Sequence, residues 1–247
     1  MVAHTAPMGQ RSAATSATRH WDGVYTERGE RGVSWFAERP AVSLQLLDVA
    51  GIGGDRSVID VGAGASRLVD ELLLRGHRDL TALDVSDHGL AVARTRLGAA
   101  EDDVHWLVAD LLSWRPRRRF AAWHDRAVFH FLTEPADRAR YRAVLDDTLD
   151  ADGVLVIATF AQDGPRACSG LPTVGYSADE LLHELGGPGR WIELVRRREH
   201  HVTPSGVDQA FSWMALRRRP AAAGVDDRAG GPERGLGQPA GAVTIER

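Results

Sequence analysis

Three aspartates stand at the ends of three short apolar runs, and their neighbours decide what chemistry they can do. The first lies in Ser57-Val-Ile-Asp-Val-Gly-Ala-Gly-Ala-Ser66. Val58, Ile59 and Val61 make a short buried strand, and Gly62 and Gly64 make a tight turn without Cβ atoms. Ser66 is then placed to cap the amphipathic run Leu68 to Leu74. At such a helix start, unsatisfied N–H groups point outward and a ligand can lie against bare backbone. A dinucleotide-binding turn has a third glycine where this chain has Arg67. Asp60 would also add negative charge beside a pyrophosphate, whereas it suits a ligand carrying an ammonium group. Asp84 follows Gly64 by 84 − 64 = 20 residues, the place of a carboxylate that accepts from both hydroxyls of a ribose. Asp110 ends the third run, where it can take the exocyclic amine of an adenine while Leu111 packs on the ring.

A second group follows the fourth strand, in Trp123-His-Asp-Arg-Ala-Val-Phe-His-Phe131. His124 and His130 are both candidate general bases, with His124 preferred because it sits nearer the strand end, beside Asp125 and Arg126. Trp21 and Tyr25 lie one helical turn apart on a common face, and Trp35 belongs to a second aromatic cluster. Cys168, the one cysteine, reads as a buried structural residue and excludes an internal disulfide. His200 and His201 are adjacent on a strand, so they point to opposite faces and cannot chelate one metal. No metal site is expected. The triplets Arg117–Arg119, Arg196–Arg198 and Arg217–Arg219 are diluted by acids in a chain of net charge −4. They read as solvated faces, and no nucleic-acid partner is expected.

The elements that must position these residues alternate along the chain. Strands are expected at Ser57–Val61, Leu80–Asp84, Val104–Val108, from Phe120 to about His124, and at Gly153–Phe160. Helices follow them, one capped by Ser86 or Asp87, one capped by Thr133 with Pro135 in its first turn, and one opened by the capping box Ser177-Ala-Asp-Glu180. Two final strands, Trp191–His201 and Val207–Arg217, enclose a Thr203–Gly206 turn and read as a hairpin. The fold class is therefore α/β, a doubly wound Rossmann-like, mostly parallel sheet with a C-terminal antiparallel hairpin. Ligands of such sheets bind at the carboxyl ends of the strands, so the loops carrying the aspartates share one face. The long Gly- and Pro-rich segment 161–176 lies over that face and reads as a substrate-shaping loop. Residues 1–18 and 220–247 read as disordered tails around one domain at 19–219. The absence of lysine among 30 basic residues suggests a GC-rich bacterial coding sequence. No apolar run approaches the ~20 residues of a membrane span, so a cytoplasmic protein without membrane partners is expected.

The glycine turn, Asp84 and the Asp110-Leu111 pair together resemble the class I S-adenosylmethionine-dependent methyltransferases, over roughly residues 20–218. Trp21-Asp-Gly-Val-Tyr25 and Ser34-Trp-Phe36 are similar to the N-terminal lid of the branch that includes protein-lysine methyltransferases. The resemblance implies that Asp60 holds the amino group of S-adenosylmethionine, Gly62 and Gly64 line its methionine portion, Asp84 holds the ribose and Asp110 reads the adenine. Trp21, Tyr25 and Trp35 would close over the site. The lysine-modifying members carry an Asp-Lys pair where this chain has Asp125-Arg126, and the Asn/Asp-Pro-Pro-aromatic turn of base N-methyltransferases is missing. A small-molecule acceptor is expected ahead of a protein side chain, because the lid and the long loop cover the pocket. The alternatives are an NAD(P)-dependent oxidoreductase, which Arg67 and the terminal hairpin speak against, and an inactive S-adenosylmethionine-fold binding protein, which the intact acids speak against.

Overall fold

A computed structural model describes residues 8–220, and the expected tail at 220–247 lies almost wholly outside them. β1 (Val58–Val61), β2 (Leu80–Asp84), β3 (Val104–Val108), β4 (Phe120–Arg126) and β5 (Leu149–Phe160) pair in parallel. β8 (Trp191–Val202) and β9 (Asp208–Arg218) complete a seven-stranded sheet of order β3-β2-β1-β4-β5-β9-β8. The strand order reverses at β1, and that switch point is where the crevice of a doubly wound sheet opens. β9 is antiparallel to both β5 and β8. β8 therefore runs in the same sense as β1 to β5, and the 203–206 turn emerges on the carboxyl-end face with the aspartate loops.

Helices cover both sheet faces. α2 (Ala41–Val49), α3 (Leu68–Leu74) and α4 (Asp87–Leu97) bury Leu44, Leu47, Leu68, Leu72 and Leu90 on one face. α5 (Pro135–Thr148) and α6 (Ala178–Glu184) bury Tyr141, Leu145 and Leu181 on the other. β5 carries both layers, and every residue from Val154 to Phe160 is buried, as a central parallel strand requires. None of the described helices is long and apolar enough to cross a membrane.

Several local expectations shift. α1 (Met8–Arg28) is helical from Met8, so the stretch expected to be unstructured up to residue 18 is largely helix. α3 starts at Leu68 with Arg67 in the cap position, although Ser66 Oγ still accepts from the Leu68 amide at 3.1 Å. α5 is entered through Glu134 in an extended conformation, not capped by Thr133, and Pro135 takes the first helical position. The Ser177 capping box forms in full, with the Glu180 amide donating to Ser177 Oγ and the Ser177 amide to Glu180 Oε2. β4 runs two residues past His124, which matters for the site.

Candidate active site

The glycine turn takes its shape from β1, β2 and the N-terminal helix together. Gly62 and Gly64 have φ of +69° and +46°, a left-handed backbone that favours glycine. The amide of Gly64 donates to Asp84 Oδ2 at 2.8 Å, and that of Ser86 to Asp84 Oδ1 at 2.8 Å. Burial raises the Asp84 carboxyl to about 6, with the Ser86 and Gly64 amides pulling the other way. From α1, Tyr25 lies directly on the turn. A Cβ placed on Gly64 would meet Tyr25 Oη at 1.9 Å, and the Ala65 amide donates to that hydroxyl at 3.4 Å. Burial, with Asp84 next, raises the Tyr25 hydroxyl above its ordinary value, so it stays a neutral group.

A cavity of about 340 Å³ opens beside the turn. One end is walled by Gly62, Leu83, Asp84, Asp110 and Leu111, and the other by Arg126, His130, Phe160, Cys168, Gln209 and Phe211. Trp21, Tyr25 and Trp35 line it from the lid side. Trp21 makes edge contacts with Trp35 and Phe131, with ring centroids 5.7 and 5.2 Å apart. Of the expected cofactor residues, Asp60 and Gly64 are not in the cavity wall. Gly64 is covered by Tyr25, and Asp60 is buried beneath the turn.

Asp60 has a particular environment. His124 Nδ1 lies 2.7 Å from Asp60 Oδ1, and His124 Nε2 lies 3.0 Å from Ser43 Oγ, with all three residues buried. Asp60 Oδ2 has no hydrogen-bond partner among the described residues. An unpartnered buried carboxylate oxygen costs about 1–3 kcal/mol or more, and it fits an incoming ammonium group. The backbone at Gly62 and the Asp84 carboxylate line the cavity, while the unpartnered Asp60 oxygen lies behind its wall.

The expected reacting centre at 124–126 requires correction. His124 does not line this cavity. It is spent on Asp60 and Ser43 under the sheet face that carries α2. Asp125 points to the opposite face, where its carboxylate accepts from the Val128 amide and the Tyr141 hydroxyl, both at 2.8 Å. Burial raises that carboxyl to about 6, against the lowering effect of the Val128 amide. Both residues lie inside β4, paired with Asp60 and Val61 of β1, because the strand ends at Arg126. Strand alternation then sends their side chains to the two sheet faces. Arg126 is the residue that emerges into the cavity, where its Nη1 donates to the Trp35 carbonyl at 2.7 Å and its guanidinium lies 5.2 Å from the Phe211 ring centre. Ala127 then turns the chain at φ +77°.

His130, ranked second in the sequence, is the histidine that reaches the cavity. Its Nδ1 accepts from the Phe160 amide at 3.3 Å, and its Nε2 has no partner among the described residues. Burial, then the Arg126 charge, pushes its pKa down to about 3. Segment 161–176 reaches the same cavity through a small hairpin, β6 (Ala167–Cys168) and β7 (Leu171–Pro172), which contributes Cys168 and Leu171. Cys168 is buried with its thiol pushed up by burial, and Ser34 Oγ lies 3.9 Å away.

The lid anchors were not legible as site residues. Asp22 Oδ1 accepts from Ser86 Oγ at 2.6 Å, which ties α1 to the start of α4. Glu30 bridges Arg67 and Arg96 at 2.8 and 3.0 Å, and Arg96 also donates to the Ala65 and Ser66 carbonyls. The position where a dinucleotide fold has glycine thus fastens the lid. Members of the arginine triplets are engaged locally, Arg196 with Glu193 and Asp179, Arg198 with Asp163, and Arg218 with Asp146. No cluster of three or more potential metal ligands occurs among the described residues.

Known proteins share parts of this sequence and its fold. Residues 58–153, from β1 into β5, match the family described as Methyltransferase domain. The chain is 24% identical over 164 residues to mouse EEF1A lysine methyltransferase 2, a match spanning 60% of this chain and 66% of that protein. Among solved structures it resembles the Burkholderia thailandensis 1,6-didemethyltoxoflavin-N1-methyltransferase with bound 1,6-didemethyltoxoflavin and S-adenosylhomocysteine. That likeness has a TM-score of 0.61 and 21% identity, covering 89% of this chain and 93% of that one. It also resembles N-methyltransferase NodS from Bradyrhizobium japonicum in complex with S-adenosylhomocysteine, with a TM-score of 0.63 and 16% identity, covering 81% and 98%. The fold is therefore the class I methyltransferase fold, and the turn, Asp84 and Asp110 fall within the matched domain.

Proposed function

We propose that this chain is an S-adenosylmethionine-dependent methyltransferase whose acceptor is a small molecule. The observation that carries the reading is that one cavity is lined by Gly62, Asp84 and Asp110 as well as by Arg126 and His130, with Trp21, Tyr25 and Trp35 over it. S-adenosylmethionine, when bound, supplies an electrophilic methyl group on a sulfonium. Asp84 would hold its ribose and Asp110 its adenine, with Leu111 against the ring, and Asp60 would favour its ammonium from behind the cavity wall. A carboxylate has about four acceptor sites, so the two amide bonds already made by Asp84 leave capacity for hydroxyl donors.

What remains for the protein is to orient two reactants and exclude water, which can supply much of the acceleration for a good leaving group. Trp21, Tyr25 and Trp35 do the excluding, and their ring faces favour a cation. The cover formed by α1 and the 167–172 hairpin supports a small acceptor over a protein side chain. The oxidoreductase alternative loses its footing because Arg67 is committed to Glu30 and Glu38. We place the enzyme in the cytoplasm, without nucleic-acid or membrane partners.

Calorimetry with S-adenosylhomocysteine and NADH tests the cofactor, and binding of NADH alone would overturn it. Labelling of a metabolite extract with methyl-labelled S-adenosylmethionine tests the acceptor. Label entering small molecules is expected, and label entering protein alone would reject the small-molecule reading. Stable cofactor binding with no methyl transfer to any fraction would favour the inactive binding protein.

A further inference from the structure

At the end of the cavity away from Asp84, Arg126 and His130 are donors with unmet needs, beside Gln209, whose amide can donate and accept. Arg126 makes one hydrogen bond, to the Trp35 carbonyl, and no ion pair among the described residues. Burial lowers its pKa, while Glu199 and Asp60 act in the opposite sense. Neither carboxylate forms an ion pair with it; both act from a longer distance, with Glu199 Oε2 accepting from Trp213 Nε1 at 2.7 Å and Asp60 Oδ1 2.7 Å from His124 Nδ1. Buried charges are ordinarily paired at contact distance, so a guanidinium in a cavity wall with no contacting carboxylate among the described residues points to an anionic ligand.

His130 supports this independently. A backbone amide can only donate, so the 3.3 Å contact from Phe160 makes Nδ1 the acceptor. In the neutral ring the proton then resides on Nε2. That nitrogen is a donor without a partner, in a ring that lines the cavity. It is not placed to remove a proton from an acceptor. Around these donors the wall is aromatic, with Phe131, Phe160, Phe211 and Trp35.

Resting on the reading above, we propose that the methyl acceptor is an aromatic small molecule carrying an anionic oxygen, held by the Arg126 guanidinium and the Nε2–H of His130. The two sources of such an oxygen are an aromatic carboxylate and a phenolate. An acceptor that arrives as an anion at this position needs no base from the cavity wall, which matches His130 being a donor.

Naphthoate, naphthol and naphthylamine share one ring system and serve as probes, titrated against the whole chain with and without saturating S-adenosylhomocysteine. Naphthoate is expected to bind at least about tenfold tighter than naphthylamine, since a charge-assisted bond contributes about 1.5–3 kcal/mol. If phenolate is the better match, naphthol affinity will overtake that of naphthoate as the pH rises toward the ionisation of the phenol. Arg126→Gln should remove most of the preference for the anion. His130→Phe should weaken naphthoate about fivefold and leave naphthylamine unchanged, and His130→Gln, which keeps a donor, should recover part of the loss. Equal binding of naphthoate and naphthylamine overturns the proposal, as does identical behaviour of His130→Phe and His130→Gln when melting shows both folded. A fall in S-adenosylhomocysteine affinity in Arg126→Gln, with methylthioadenosine affinity spared, would assign Arg126 to the cofactor carboxylate and also overturn it. Failure of the wild-type chain to bind S-adenosylhomocysteine would sink the methyltransferase reading, while the cofactor-free titration would still decide the oxygen site.

Discussion

The amide of Gly64 donates to Asp84 Oδ2 across 2.8 Å, so the carboxylate that ends β2 also holds the turn that ends β1. One side chain thereby sets the shape of the backbone cradle and presents an acceptor to the cavity beside it. Asp84→Ala should weaken S-adenosylmethionine by roughly 1–3 kcal/mol, through lost ribose bonds and a loosened turn. Calorimetry reads the loss, and unchanged affinity would remove Asp84 from the site.

Cofactor affinity should also depend on pH through the same carboxyl. Burial raises Asp84 to about 6, so below that pH it carries a proton and is a poorer acceptor for hydroxyls. Affinity is expected to fall by up to about tenfold per unit as the pH drops below 6, with a plateau above it. A titration series from neutral to acidic pH in wild type and Asp84→Ala checks this, and the slope should vanish in the variant.

Gly62 tests the close packing of the turn. An added Cβ would meet Val128 Cγ2 at 2.1 Å on a backbone at φ +69°. Gly62→Ala should cost at least about 1–2 kcal/mol from the left-handed backbone alone, plus the clash. Adding Val128→Ala should recover the clash but not the backbone term. Denaturant unfolding of the single and double variants separates the two contributions.

His130 governs acid stability. Its folded pKa of about 3 lies below its ordinary value of 6.5, so its neutral form contributes stability that is fully present above 6.5. That contribution is lost as the pH falls toward 3, on the order of 5 kcal/mol in total. Asp84 and Asp125, both raised to about 6, act oppositely: the stability they add is present below about 4 and lost as the pH rises through 6. The difference in unfolding free energy between wild type and His130→Phe at each pH isolates the histidine, and the acid limb should flatten in the variant.

His124 is a positioning residue in this geometry. His124→Phe should raise KM for S-adenosylmethionine and lower the melting temperature, because Asp60 and Ser43 lose their shared partner at a cost of about 1–3 kcal/mol. The pH profile of kcat should keep its shape. A lost acid limb in that profile would instead mark His124 as a proton acceptor.

The sequence determined the order of elements, the parallel sheet with its closing hairpin, and the carboxylates at the ends of β1, β2 and the loop after β3. Those signals are local: alternation and β-branching mark strands, paired glycines mark the turn, and spacing along successive βα units brings Asp60, Asp84 and Asp110 to one edge. The tertiary structure decided which residues wall the far end of the cavity. A strand boundary off by two residues moved Arg126 to the mouth of the cavity and left His124 and Asp125 inside β4, on opposite faces. It also decided which histidine lines the cavity, because the partners of His124, Asp60 and Ser43, and of His130, the Phe160 amide, are 64, 81 and 30 residues distant. The lid followed the same rule, since Arg67 reads as a missing glycine until Glu30 is seen to bind it. Local patterning fixes which way a strand runs, but a side chain's chemistry is set by whatever distant segment packs against it.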